Sequence, residues 1–289
     1  MPNNKIKFYI LILLALVWGS SFILIKKGLL GLSPYQLGAL RILFAGTFIL
    51  MIGFQSLSKI ALRQWHFLFI TSMLGTFVPV FLFAVAQTQI SSTISAILNS
   101  LTPLNTLWIG ILFFTIDFQR RQILGVVIGF MGSLLLVING AQEHPDQNYY
   151  YALLLVMASF CYATNVNFLN KYLSDLSPMS ITAGSFAILY IPALIVLYFS
   201  GFWQHYQQEE VAQALPYVVG LGVVGTGIAN VLFFKLIQIS SPIFASSVTY
   251  LIPIVAFLWG LVDNESLTLV QLLGAIIVMI GVYLSARKK

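Results

Sequence analysis

Ten runs of apolar residues, separated by short polar breaks, organise this chain from end to end. A helix needs about 20 predominantly apolar residues to cross the hydrocarbon core of a bilayer. Runs of about that length occupy Phe8–Ile25, Pro34–Phe54, Trp65–Ala86, Ser92–Phe114 and Gln122–Ile138, then Tyr149–Leu169, Pro178–Ser200, Leu215–Ile237, Pro242–Val262 and Leu267–Ala286. The two longest breaks, 143–148 and 201–214, are polar and too short for a separate soluble domain. The pattern predicts an all-α integral membrane protein with ten transmembrane helices.

Composition agrees. Of 289 residues, 59% are hydrophobic and only 8% charged, where a soluble domain carries about 25% charged residues. So few charges cannot cover a water-facing surface, and lipid is the expected solvent. The net charge of +6 raises the possibility of nucleic acid. However, the basic residues stand singly or in pairs between apolar runs, which fits membrane topology and not a polyanion groove. The single cysteine, Cys161, excludes an internal disulfide. His66, His144 and His205 lie far apart, so neither a metal centre nor a cofactor is expected. The first run lacks the small-residue cleavage site of a signal peptide and is read as a retained helix.

Positive charge in short loops orients a membrane protein. With the amino terminus in the cytoplasm, Lys5, Lys7, Lys59, Arg63, Arg120, Arg121, Lys171, Lys235, Arg287, Lys288 and Lys289 fall inside. Only Lys26 and Lys27 fall outside, and Arg41 lies within a span. Both termini are therefore expected on the cytoplasmic side of the inner cell membrane.

The runs also repeat. Trp18-Gly19-Ser20-Ser21-Phe22, Lys27 and Leu32-Ser33-Pro34 align without a gap onto Tyr162-Ala163-Thr164-Asn165-Val166, Lys171 and Leu176-Ser177-Pro178. Leu74-Gly75-Thr76 matches Val224-Gly225-Thr226, and Gln89-Ile90-Ser91-Ser92 recurs as Gln238-Ile239-Ser240-Ser241. Pro103 meets Pro253, and Gly125 and Gly132 meet Gly274 and Gly281. Residues 1–140 and 148–289 thus read as two copies of one five-helix unit. An odd number of spans forces the second copy to enter the membrane from the opposite side, and such inverted repeats favour alternating access.

Together these motifs resemble the EamA branch of the drug/metabolite transporter superfamily. The resemblance is carried by Trp18-Gly19-Ser20-Ser21-Phe22 with Lys27, Ser33-Pro34 with Arg41, and Leu101-Thr102-Pro103. Tyr250-Leu251-Ile252-Pro253 and Glu265-Ser266-Leu267-Thr268 with Gly274 and Gly281 continue it. It implies a secondary carrier of small organic metabolites, with amino acids the leading class. The acidic position before the last helix is matched by Glu265, whereas the first copy offers only a shifted Asp117.

Polar residues within spans are the candidate solute contacts, because in lipid they must face the bundle interior or a water-filled cavity. Ser92, Ser95, Asn99, Thr102 and Thr106 are spaced to share one face of the fourth span, which Pro103 is expected to break. Asn99 and Thr102 are expected to line the path, with Thr249 and Tyr250 as their counterparts beside a second break at Pro253. Asn165, Asn167 and Asn230 are further candidates. Trp18 and Tyr162, with Ser21 near the first, either stack on a solute or simply pack. Lys27 and Lys171 are read as reaching for the interface. Arg41, well inside the second span with no acidic neighbour there, either binds a solute carboxylate or clamps helix-end carbonyls. Gly125, Gly132, Gly274 and Gly281 are expected to let helices approach closely, within one chain or between two copies of it. The chain is accordingly read as a monomer or a homodimer.

All eight acidic residues map to loops or span ends, which argues against a carboxylate proton relay. A drug or amphiphile efflux carrier remains the alternative. A membrane-embedded enzyme is disfavoured, since no His, Cys or acidic cluster is present, and the five-plus-five repeat argues against a passive channel. No G-x-x-x-x-G-K-[ST] motif is present for ATP-driven transport.

Overall fold

A computed structural model describes residues 2–115, 119–143, 148–262 and 269–286 of the chain. Among them every regular element is helical. Among the described residues eight helical stretches are long and apolar enough to cross a membrane: α1 (Lys5–Gly28), α2 (Pro34–Lys59), α3 (Leu62–Ala86), α4 (Ser95–Phe114), α6 (Ala152–Tyr172), α7 (Pro178–Phe199), α8 (Glu209–Ile239) and α9 (Pro242–Trp259). Two more helices, α5 (Arg120–Glu143) and α10 (Leu269–Ala286), stand at the positions of the fifth and tenth apolar runs.

Local chemistry starts these helices where the repeated motifs predict. Ser33 caps α2 through a reciprocal capping box with Gln36, and Pro34 occupies the first turn. Ser177 caps α7 in the same way through the amide of Ser180, again followed by proline. A hydroxyl satisfies an orphan N–H at each start, and proline gives up an N–H that had no partner anyway.

The surface is inverted relative to a water-soluble protein. Leu112 is 67% and Phe113 73% exposed, whereas Arg41, Asn99, Asn165 and Asn167 are buried. Apolar side chains face outward because lipid solvates them as well as a core would. Polar groups turn inward because only protein or trapped water can satisfy them there.

Packing pairs the helices across the two halves. α2 lies along α7, and α5 along α10. α1 packs on α9 as α6 packs on α4. At the α5–α10 contact, Gly281 sits directly against the backbone of Gly129 and Gly125. Gly132 and Gly274 are also buried.

Both the fourth and the ninth apolar runs are interrupted, the fourth just before Pro103 and the ninth away from Pro253. The α4 stretch draws on two helices, Ser92–Asn99 and Thr102–Phe114, with a turn between, and Pro103 lies in the first turn of the second. The Asn99 carbonyl, which proline leaves without its helical donor, accepts instead from the Thr102 hydroxyl at 2.7 Å. In α9 the helix Val248–Val262 runs through Pro253, correcting the expected break there. The interruption falls earlier, at Ser247, after the short helix Pro242–Ser246. Ser246, Ser247 and Thr249 donate side-chain bonds to the carbonyls of Ile243, Phe244 and Ser246, so hydroxyls take up the acceptors where the turn forms.

Candidate functional site

Helices α1, α2, α3, α4, α6, α8 and α9 surround a central cavity with about 830 Å³ of empty space, its mouth included. Trp18, Ser21, Arg41, Asn99, Thr102, Tyr162, Asn165, Asn230 and Thr249 all line it. Residues separated by more than two hundred positions are thus brought to one wall. The cavity is apolar and aromatic over much of its area, through Phe22, Phe83, Phe233 and Phe234, with a few convergent polar groups. That division of labour is usual for small-molecule sites.

Two expected contacts lie elsewhere. The Tyr250 hydroxyl donates to the carbonyl of Val126 at 2.9 Å, and its ring fills the space that Gly129 leaves open on α5. The Asn167 amide donates to the carbonyls of Thr106 and Ala163, tying α6 to α4. Both residues hold helices together outside the cavity wall. The polar face of α4 also divides. Asn99 and Thr102 reach the cavity, while Ser92 and Thr106 are engaged with the Phe22 and Thr102 carbonyls. Lys171 lies over the rings of Phe114 and Tyr172 at 5.5 and 5.4 Å, at the end of α6.

The wall contains a feature that sequence reading missed. α3 and α8 each widen into a π-helical turn, at Met73–Phe77 and Val223–Ile228. These are the repeated Leu74-Gly75-Thr76 and Val224-Gly225-Thr226 motifs, and all of Gly75, Thr76, Gly225 and Thr226 line the cavity. The recurrence of Gly-Thr in two otherwise apolar spans was the available signal. π-turns occur frequently at functional sites because they displace backbone and side chains from the regular ladder. Here Thr226 Oγ1 donates to the Leu221 carbonyl at 2.9 Å and accepts from Arg41 Nε at 2.6 Å. The Gly225 carbonyl accepts from Trp18 Nε1 at 3.0 Å. In α3, Thr76 Oγ1 accepts from the Asn230 amide at 3.3 Å. Each π-turn therefore bonds a side chain of another helix.

Among the described residues Arg41 is the only charged one of the cavity wall. Among the described residues its one side-chain bond is that to Thr226, and the Tyr162 hydroxyl is its electrostatic neighbour. No described carboxylate lines the cavity: Asp175 accepts from Gln64, and Glu209 and Glu210 occupy the first turn of α8. Asp117 and Glu265 lie outside the described residues. A guanidinium in this position presents further N–H donors to whatever occupies the space, and suits a planar carboxylate.

Asn165 occupies the space that Gly75 leaves open. A Cβ on Gly75 would lie 2.3 Å from its amide nitrogen, and Asn165 Oδ1 is buried without a donor among the described residues. Gly75→Ala is expected to rotate Asn165 away and lower solute affinity about 2- to 10-fold, the worth of one hydrogen bond. Thermal-shift titration of the purified variant measures this; unchanged affinity would remove Asn165 from the site.

The sequence matches the model of the EamA-like transporter family twice, over residues 6–138 and 150–287. The chain belongs to the EamA-like transporter family. It is thus a multi-pass membrane protein of a transporter family. An uncharacterized transporter of Archaeoglobus fulgidus is 26% identical over 99% of both chains. A protein of Salmonella typhimurium named a probable amino-acid metabolite efflux pump is 25% identical over 96% of this chain and 93% of its own. An uncharacterized inner membrane transporter of Escherichia coli is 28% identical over 96% of this chain and 89% of its own. A solved crystal structure superposes with a TM-score of 0.72 at 15% identity, over 100% of this chain and 99% of that one. That similarity speaks to the fold of this EamA-like chain.

Proposed function

We propose that the chain is a secondary carrier of small organic metabolites, with amino acids and related carboxylates foremost. In this reading it has ten spans in two inverted five-helix halves, residues 1–140 and 148–289, and works by alternating access. Both termini lie on the cytoplasmic side of the inner membrane. The observation that carries the substrate side is Arg41, a buried cation facing an otherwise uncharged cavity at the seam of the two halves. A solute carboxylate supplies the counter-charge that no described side chain does, while Asn99, Asn165 and Asn230 offer amides to its polar remainder. The reciprocal packing of α1 on α9 and α6 on α4 supports two equivalent halves, and the Salmonella relative's name favours amino-acid metabolites.

A second reading, efflux of amphiphilic drugs, draws on the aromatic rings around the cavity. Arg41 weighs against cationic drugs. Uptake into proteoliposomes separates the readings, with candidate amino acids set beside amphiphilic cations, each with and without an imposed pH gradient. Saturable uptake of a carboxylate-bearing solute that does not follow the gradient is expected, since no carboxylate relay lines the cavity among the described residues. Accumulation that tracks the gradient would refute the uncoupled mechanism, and preference for the cations would favour drug efflux.

A further inference from the structure

We propose that two aromatic pairs, Tyr162 with Phe83 and Trp18 with Phe233, are the gates at opposite ends of the central cavity. The proposal rests on reading that cavity as the solute path. All four rings line it. Tyr162 and Phe83 stack with centroids 6.1 Å apart and planes at 30°, and Trp18 meets Phe233 edge-on at 5.0 Å and 63°. Each pair joins one half to the other: α6 to α3 in the first, α1 to α8 in the second.

The repeat relates the pairs to one another. Trp18 aligns with Tyr162, and the register that aligns Thr76 with Thr226 places Phe83 opposite Phe233, each seven residues further on. Exchanging the halves therefore exchanges the pairs. Gates of an alternating-access device obey that exchange, because its two faces are built by the same element of each copy.

The pairs also close different ends. Along α1, Ile10 and Leu11 share an apolar cluster with Phe234, the neighbour of Phe233, whereas Phe22 belongs to another cluster with Phe83. Along α6, Leu169 goes with Phe234 and Leu155 with Phe83. Two helices crossed by both clusters thus set the two phenylalanines at opposite ends of the cavity. Beyond Phe234 a second cavity of about 380 Å³ of empty space opens, lined by Asn170, Ser174 and Gln238 among others. Phe234 lines both cavities, which places it between them. The Trp18 ring is anchored by its bond to Gly225, which leaves the Phe233 side chain as the moving part of its gate.

The experiment reads sidedness directly. A reporter cysteine at Thr249, a cavity residue, is introduced with Cys161→Ser, and labelling by a membrane-impermeant maleimide is compared in intact cells and inverted vesicles. With α1 entering from the cytoplasm, Phe233→Ala is expected to shift the inner-to-outer labelling ratio about two- to tenfold upward, and Phe83→Ala by a similar factor downward. That range is what loss of one aromatic pair contributes to a two-state balance. Leucine replacements, which keep bulk and remove the ring, are measured alongside and are expected to shift the same way by less. Ratios that stay constant or move together, in a reporter that does label, would overturn the gates and leave the cavity reading standing. A reporter unlabelled from either face in every variant would overturn both.

Discussion

Arg41→Gln is expected to lower solute affinity and uptake about 10- to 150-fold, without destabilising the empty protein. The first half of this expectation follows from losing charge-assisted hydrogen bonds, worth about 1.5–3 kcal/mol. The second follows from what the charge does when no solute is present. A mid-membrane arginine costs about 2.5–3.5 kcal/mol on insertion scales. Its one bond among the described residues, to Thr226, returns about 1.5–3 kcal/mol. Glutamine retains a donor for Thr226 and sheds the charge. Thermal unfolding of the solute-free variant should therefore match or exceed that of the parent protein, while proteoliposome uptake collapses. Were Arg41 a structural clamp, stability and uptake would fall together. Arg41→Lys keeps the charge but not the planar fork, and should recover only part of the affinity.

Gly281→Val is expected to destabilise the protein by about 1–3 kcal/mol, the usual cost of overpacking. A Cβ at Gly281 would lie 2.5 Å from the amide nitrogen of Gly129, 2.6 Å from its Cα and 2.7 Å from the carbonyl oxygen of Gly125. All three atoms are backbone, so no side chain can swing aside and α10 must move away from α5. The displacement would also reach the cavity wall indirectly, because Tyr250 packs on Gly129 and bonds Val126 of the same helix. Loss of melting temperature in detergent tests this. Unchanged stability would mean that the two helices do not meet through these glycines.

The difference between the two predictions reflects how each residue was legible. Arg41 stood out in sequence because a charge inside an apolar run needs an explanation of its own. Gly281 stood out because its spacing from Gly274 repeats that of Gly132 from Gly125. By contrast, Thr226 and Thr76 lay in a repeated motif with no charge and no break to mark them, and their role appears only once α3 and α8 widen at those positions. Tyr250 and Asn167 failed in the opposite direction. Their polarity within spans made them candidates, but a buried hydroxyl or amide is satisfied equally well by a neighbouring helix's carbonyl. Pro253 shows the same limit: proline restricts a helix without dictating where it ends, and the interruption falls at Ser247, where the hydroxyls of Ser246, Ser247 and Thr249 bond nearby carbonyls.

By itself the sequence determined what depends on solvent and spacing. Apolar run length set the helices, because lipid cannot satisfy an open backbone. The Ser-Pro pairs set where α2 and α7 begin, because capping is local. The recurrence of motifs is what proposes a division into two copies. Only the tertiary structure decided which polar residues share a cavity and which merely tie helices together. Residues one turn apart on a helix can face different neighbours, and the distinction depends on how α1, α6 and α8 are rotated against α3, α4 and α9. The meeting of Arg41 with Thr226, 185 positions away, and of each aromatic ring with its partner in the other half, belongs to that rotation.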